Sequence, residues 1–512
     1  MFASFLHAHH HELSGDADAA IAAYESLVAT SSTHPYDDAQ IPTTSEPPSP
    51  LLLSVAWNSL GGLRLDAGDL SSARAAFQQS VAAWPGNSMA LLNLGDLERE
   101  HGGRFDAALA WYARAAALPP RDAPAGAAAW YEQLVASPRS ECAALASYMC
   151  ALLQMQLGEY DAARAHQRRF GCRFRVAPAV WKLVGADAAP PAAPDRSGVQ
   201  RWEGAVPPAL LARLRAAFAI DSPFWEQTDY SARGYFSFWE ATAAPAATLI
   251  DVYVREVLLP LVANADEVVG AEWWVHTRAS RRSIGHQMHF DTEEATLQLT
   301  GEVVHPTVSS VLYLSGAGGD PTVVFDQRAD DDAPAAHAHV SHPVEGAVLL
   351  FPGDRLHCVC PAAPRDARKR GRDDDAAAAA LRDARDAPQR VTLMVGLWTR
   401  DVASVCRRRP LDACGPLPRP TRSCTWPSLI ALRADDDAAA LGAAAAPPTR
   451  HAVPRVAAPW EQIDGRGGGA GGDDTWAGRT LEPPEGRNHR FWVRSMGEFR
   501  EQMECGGADD SE

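Results

Sequence analysis

A multidomain α + β chain, with a helical repeat array first and a short-stranded antiparallel barrel or jelly roll after it, is the fold class that three features of the sequence predict. The first third matches itself at an offset of 34 residues. A proline- and alanine-rich stretch, GADAAPPAAPDRSG at 185–198, has no apolar periodicity and reads as a linker. From about residue 270 the pattern changes to short β-rich runs, EWWVHTR, TVSSVLYLS, TVVFDQ, AVLLF and RVTLMVGLW, broken by Gly, Pro and Asp. At 512 residues the chain exceeds what one hydrophobic core organises.

The repeat is specific because unlike residues agree at one offset. Leu60-Gly61 falls on Leu94-Gly95, Gly68 on Gly102, Ala73 on Ala107, Phe77 on Trp111 and Pro85 on Pro119. Small Gly61 and Ala73 let two antiparallel helices approach closely, Trp57, Leu60 and Phe77 fill the seam, and Pro85 stops the second helix. This pattern resembles the tetratricopeptide repeat. The array is expected over residues 1–175, with its best copies at 54–87 and 88–121. Gly15, Ala20 and Tyr24 suggest an earlier copy, and Gly158-Glu159-Tyr160 with Ala163 a later one in which Gln167 replaces the aromatic. One hairpin cannot hide its own apolar face, so neighbours should stack on it.

A linker is expected over 176–199 and a second domain over 200–402, with helix-like spacing at 206–219 and 246–263 ahead of the strands. Residues 361–389 are biased in Ala, Asp and Arg and read as a solvated insertion. Residues 403–512 form a C-terminal extension, expected to be disordered over 432–474. Its RNHRFWVRSMGEFREQM segment is apolar enough to dock on the rest of the protein.

The charge balance is 47 basic against 64 acidic residues, a formal −17, with no Lys/Arg stripe, which argues against a nucleic-acid partner. Nine scattered cysteines without a CxxC pair fit neither a disulfide framework nor a structural zinc site. The N-terminal residues lack a secretory signal pattern and no long apolar run follows, so a cytoplasmic or nuclear protein with no membrane association is expected.

Candidate chemistry sits in the β region. His289-Phe290-Asp291 puts an imidazole and a carboxylate two residues apart, on one side of an extended strand, and His357 follows the run AVLLFPGD. Two histidines and an aspartate can occupy one face of an octahedral Fe(II), leaving adjacent positions for a bidentate 2-oxoacid and dioxygen. Arg390 opens the strand RVTLMVGLW with Thr392 on the same face. A forked guanidinium and a hydroxyl suit the distal carboxylate of 2-oxoglutarate.

This order of elements, over roughly residues 200–402, resembles the 2-oxoglutarate/Fe(II)-dependent oxygenases. Tyr313-Leu314-Ser315, Gly318-Gly319 and Thr322 resemble the prolyl-hydroxylase branch in particular. The resemblance implies a double-stranded β-helix with supporting helices outside. It implies His289, Asp291 and His357 as metal ligands, Arg390, Thr392 and Tyr313 as 2-oxoglutarate contacts, and Fe(II) and 2-oxoglutarate as cofactors, with ascorbate as an accessory. The spacing from His357 to Arg390 exceeds the family's; removing the insertion, whose closure entropy grows only slowly with length, restores it.

Repeats fused to such a unit point to a protein or peptide substrate hydroxylated at a carbon centre. A non-catalytic scaffold with a degenerate barrel and a small-molecule hydroxylase are the alternatives. Around the site, His286 reads as a rim residue, Cys358 and Cys360 as packing, and Glu293 and Glu294 as loop acids. Alternation in EWWVHTR puts Trp274, His276 and Arg278 on one face, and Trp273, Val275 and Thr277 on the other.

Overall fold

The computed structural model describes residues 1–30, 49–101, 103–118, 139–185, 198–230, 236–279, 284–316, 320–362, 389–402, 414–415, 417–444, 446–463, 480–482 and 491–499. Two compact units result, the first ending at Gly171 and the second beginning at Cys172, with residues 480–482 belonging to the first.

In the first unit, α1 (Phe2–Leu13), α2 (Ala17–Ala29), α3 (Ser49–Asp66), α4 (Leu70–Ala83), α5 (Ser88–Glu100), α6 (Phe105–Ala116), α7 (Arg139–Leu157) and α8 (Tyr160–Arg169) each pack on the next. Three hairpins turn on the same device. Gly15, Gly68 and Gly158 adopt φ of 77°, 78° and 78°, the left-handed conformation that ends a helix at little cost only for glycine. An acidic residue follows each, and the carboxylates of Asp16 and Asp69 accept the backbone N–H of Ala19 and Ser72 at 3.2 and 3.1 Å. The outermost copies are therefore folded hairpins. Ala20, Tyr24, Ala163 and Gln167 are all fully buried, so a buried amide takes the place of the aromatic in α8.

Close approach between paired helices depends on glycine at the contact. A Cβ at Gly61 would lie 2.5 Å from the Phe77 ring, and one at Gly95 would collide with Tyr112. The buried Asn87 amide donates to Ser54 Oγ and Ser80 Oγ, each at 3.0 Å, so the polar groups in the α3/α4 seam have partners. Gly61→Ala should destabilise the repeat unit by about 1–3 kcal/mol through overpacking, even though alanine favours helix, and urea melts of the two proteins would measure it.

The second unit is a sandwich of two antiparallel sheets in a jelly-roll arrangement. Its larger sheet runs in the order β12 (Cys414–Gly415), β3 (Ser237–Ala241), β4 (Gly270–Ala279), β11 (Gln389–Trp398), β6 (Val308–Tyr313), β9 (Val348–Pro352), β2 (Gln200–Glu203), β13 (Thr449–His451). Only the β12–β3 edge pairing in it is parallel. The facing sheet runs β14 (Arg455–Ala457), β8 (His337–Ser341), β7 (Thr322–Phe325), β10 (His357–Val359), β5 (His286–His289). A three-stranded sheet places β1 (Phe174–Val176) between β15 (Trp460–Gln462) and β16 (Trp492–Val493).

Period-two alternation sorts the large sheet. Val391, Leu393, Val395 and Leu397 of β11 join Trp273 and Val275 of β4 on the outer face, packed against Leu210 and Leu214 of α10 (Pro208–Ala217) and Leu249 and Ile250 of α11 (Leu249–Val252). The opposite face turns inward, where Val311, Tyr313, Leu349 and Phe351 meet Val324 of the second sheet. Register pairs His276 with Thr392 and Trp274 with Met394 on that inner side, as the alternation in EWWVHTR predicts. The Arg278 side chain lies outside the described set.

Three boundaries differ from those expected. The segment from 176 is no linker at its start, since β1 and the helix α9 (Pro178–Val184) belong to the second unit; most of the remainder, 186–197, lies outside the described residues. Residues 432–474 are not disordered where described. They form a short helix at Ala438–Gly442 and then β13, β14 and β15, which extend three sheets at once. An edge strand of three residues needs few apolar side chains, because backbone bonds hold it, and composition alone therefore conceals it. The insertion starts after Ala362, whose N–H bonds Asp320, and ends before Gln389; 363–388 lie outside the described residues. The C-terminal aromatic segment docks through β16, with Phe491, Trp492 and Phe499 buried.

Glu240 on β3 is a strained acid in this fold. Burial, reinforced by the Asp251 carboxylate, raises its pKa to about 7. The folded chain thus holds a proton that the unfolded chain releases near pH 4.5, and stability falls as pH rises through that window. Glu240→Gln should be more stable than the parent above pH 7 by up to about 3 kcal/mol, an advantage that fades towards pH 4.5 in thermal melts across pH.

Candidate metal centre

The centre begins with a strand pair. β5 and β10 run antiparallel with His289 directly opposite His357, so the two imidazoles lie side by side with ring centroids 4.2 Å apart. Asp291, two residues beyond His289, carries its carboxylate back towards both rings. Asp291 Oδ1 lies 3.8 Å from His289 Nε2 and 3.6 Å from His357 Nε2. One donor atom from each of the three falls within 4.8 Å of the others, the only such group of His, Cys, Asp or Glu among the described residues.

Outer contacts orient each donor. His289 Nδ1 lies 2.9 Å from the Gln287 carbonyl oxygen and His357 Nδ1 3.0 Å from that of Arg355. A proton on Nδ1 leaves the Nε2 lone pairs pointing at the gap. Ser309 Oγ donates to Asp291 Oδ2 at 2.5 Å, and the Phe351 ring packs 4.9 Å from that of His357. Burial first, then the neighbouring His289 ring, push the His357 pKa down to about 4, which keeps that imidazole neutral near pH 7.

The second cluster lies on the same interior faces. Arg390, Thr392 and Tyr313 are buried, with exposures of 5%, 0% and 0%. Arg390 Nη2 donates to Thr322 Oγ1 at 2.9 Å, and its guanidinium lies 5.6 Å from the Tyr313 ring centroid. Tyr313 Oη is 3.1 Å from both Thr322 Oγ1 and Ser341 Oγ. Among the described residues, Arg390 Nε and Thr392 Oγ1 are buried without a hydrogen-bond partner. A buried guanidinium edge and a hydroxyl left open on one face are complementary to a carboxylate. Burial lowers the Arg390 pKa, with Tyr313 and Asp320 opposing the shift, and an arginine so placed remains a cation.

All six residues singled out from the sequence thus fall into two clusters, His289, Asp291 and His357 in one and Arg390, Thr392 and Tyr313 in the other. Gly318 and Gly319 lie outside the described residues, whereas Thr322 meets Arg390 and Tyr313. Glu293 is not a loop acid: its carboxylate accepts the Thr296 N–H at 2.6 Å and caps the helix Glu294–Thr300. The Glu294 side chain lies outside the described set. His286 stacks edge-on against His289 at 4.7 Å, and His276 lies 5.6 Å beyond it with Nδ1 2.8 Å from Tyr230 Oη. Burial pushes the Cys358 and Cys360 thiols up, in keeping with packing rather than ligation. Sequence reasoning missed Ser309 and Ser341. Ser309 shares strand parity with Val311 and Tyr313, and that was the available signal.

Thr392→Val, which removes the unpartnered hydroxyl at equal volume, should leave the ligand-free protein as stable or more stable by about 1 kcal/mol in urea melts. A structural hydroxyl would instead show a loss.

The tetratricopeptide repeat family model matches residues 59–127, and this part of the chain is a tetratricopeptide repeat region. Comparison with curated proteins gives no match. Among solved structures, AviO1 from Streptomyces viridochromogenes Tue57 is similar at 16% identity over 40% of this chain and 90% of its own, with a TM-score of 0.26. HygX from Streptomyces hygroscopicus with nickel and 2-oxoglutarate bound is similar at 14% identity over 40% of this chain and 87% of its own, with a TM-score of 0.23. Its apo form gives 12% identity, 41% and 87% coverage and a TM-score of 0.22. No helix among the described residues is long and apolar enough to cross a membrane.

Proposed function

We propose that the second unit is a 2-oxoglutarate- and Fe(II)-dependent dioxygenase that hydroxylates a carbon centre, and that the repeats present a protein or peptide substrate to it. The observation that carries this reading is the pairing of a two-histidine, one-carboxylate donor set with a buried, incompletely partnered arginine–threonine face in one sandwich. Nitrogen and carboxylate donors without a thiolate suit Fe(II). When bound, iron and 2-oxoglutarate would supply oxidation of a C–H bond by dioxygen, with one oxygen atom entering the product hydroxyl and the other entering succinate as CO2 leaves.

The protein groups have separable tasks. Neutral His289 and His357 with ionised Asp291 would hold the metal. Arg390 and Thr392 would receive the distal carboxylate, with Tyr313 and Thr322 fixing the guanidinium. Phe351, Val311 and Leu349 keep the interior beside these groups apolar, which strengthens the electrostatic contacts within it. The His289 side chain is 29% exposed against 10% for His357, so His289, with His286 beside it, marks the side open to substrate.

The domain plan that goes with this function assigns partner binding to the first unit and chemistry to the second, with the C-terminal strands as part of the catalytic unit. Concave helical arrays commonly bind extended peptides, which supports a polypeptide substrate.

Anaerobic titration of the full chain with Fe(II), followed by assay of succinate formed from 2-oxoglutarate in air, tests the reading. Expected outcomes are one metal equivalent per chain and turnover that requires both cofactors. Asp291→Ala should lose metal uptake and succinate formation while keeping its melting temperature. A parent protein that binds neither Fe(II) nor 2-oxoglutarate would leave a non-catalytic scaffold as the function.

A further inference from the structure

We propose that Ser309 is a positioning residue for the metal centre, setting which oxygen of Asp291 faces the metal; the inference rests on the metal-centre reading above. Asp291 lies beyond the end of β5, so strand pairing does not fix the rotation of its carboxylate. Oδ1 faces both histidine Nε2 atoms, whereas Oδ2 points the other way and accepts the Ser309 hydroxyl at 2.5 Å. Among the described residues, no other side chain bonds a donor group of the three ligands. The histidine Nδ1 atoms meet backbone carbonyls, and His305 Nδ1 meets the Asp291 carbonyl oxygen at 2.8 Å rather than its carboxylate.

The position of Ser309 is built into β6. It is 2% exposed, on the inward face that also carries Val311 and Tyr313. In register it lies between Phe351 of β9 and Gly396 of β11. Phe351 is the ring that packs on His357, and Gly396 brings no side chain that would compete for the carboxylate. A charge-assisted hydroxyl contact at this distance orients the carboxylate and offsets the desolvation of Oδ2. Oδ1 is then presented as a single donor, and Oδ2 is kept from closing a second bond to the ion.

The test is titration of the metal-free full chain with Co(II) under anaerobic conditions, read by the visible absorption of the bound ion and by its dissociation constant. Loss of an outer contact of this kind weakens metal binding by roughly 10- to 100-fold, and Ser309→Ala should show that loss with an altered Co(II) spectrum, while the metal-free protein stays folded and melts only somewhat lower because Asp291 Oδ2 loses its partner. Ser309→Thr, which keeps the hydroxyl, should recover most of the affinity. Should the alanine variant not fold, Ser309→Cys keeps the volume with a weaker donor and should show the same direction of change. Binding by the substituted protein within about threefold of the parent, with the same spectrum, would overturn the proposal. Failure of the parent itself to take up Co(II) would instead remove the metal centre, and this inference with it.

Discussion

The centre depends on one registered contact, His289 opposite His357 across the β5–β10 pair. Side chains alternate along a strand, so a one-residue slip would send either imidazole to the other face and dissolve the donor set. Register is secured from the far side: β10 also pairs with β7, which sets His357 against Val324 and Cys358 against Val323. Buried Val323, Val324 and Cys358 make any other alignment of β10 expensive. The histidine pair is therefore held by apolar packing that takes no part in ligation.

The second consequence concerns polar groups inside a sandwich. Arg390 and Thr392 sit at inward positions of β11, where the alternation would ordinarily place apolar residues such as Met394 further along. A buried cation in that position costs several kcal/mol unless hydrogen-bonded, and Thr322 and Tyr313 satisfy only part of it. The outer face of the same strand carries Val391, Leu393, Val395 and Leu397 against the helices, and this burial stabilises the strand that presents the polar groups. Local conflict on the inner face is thus sustained by regular packing on the outer face, a division expected of sites kept for binding.

Much of this was legible in the sequence for identifiable reasons. The repeat announced itself because Leu60-Gly61 recurs as Leu94-Gly95 with an aromatic following each, although it is Tyr112 and not Trp111, the residue at the 34-residue offset, that packs on Gly95 as Phe77 does on Gly61. His289 and Asp291 were legible because two-residue spacing has a geometric meaning on a strand, and Arg390 and Thr392 for the same reason. What escaped was information carried by the partner strand rather than by the residue itself. Ser309 is an ordinary serine until β6 is laid beside Asp291, and Ser341 until β8 brings it to Tyr313. The strands at 449–462 escaped because three-residue edge strands are held by backbone bonds, which leave little trace in composition.

The late strands also leave the five-stranded sheet with two unlike edges. In the five-stranded sheet, β14 from the C-terminal extension covers β8 at one edge, and β5 forms the other. An uncovered edge is an aggregation hazard, one that short strands with polar side chains limit. β5 is four residues long and reads His-Gln-Met-His, with only Met288 fully buried. The same polarity that protects this edge supplies His289 as a donor and leaves its ring more exposed than that of His357 on the interior strand next to it. His357 is thereby anchored in the core and His289 placed at the rim, so that the three donor side chains can be approached at the β5 edge without any strand having to separate.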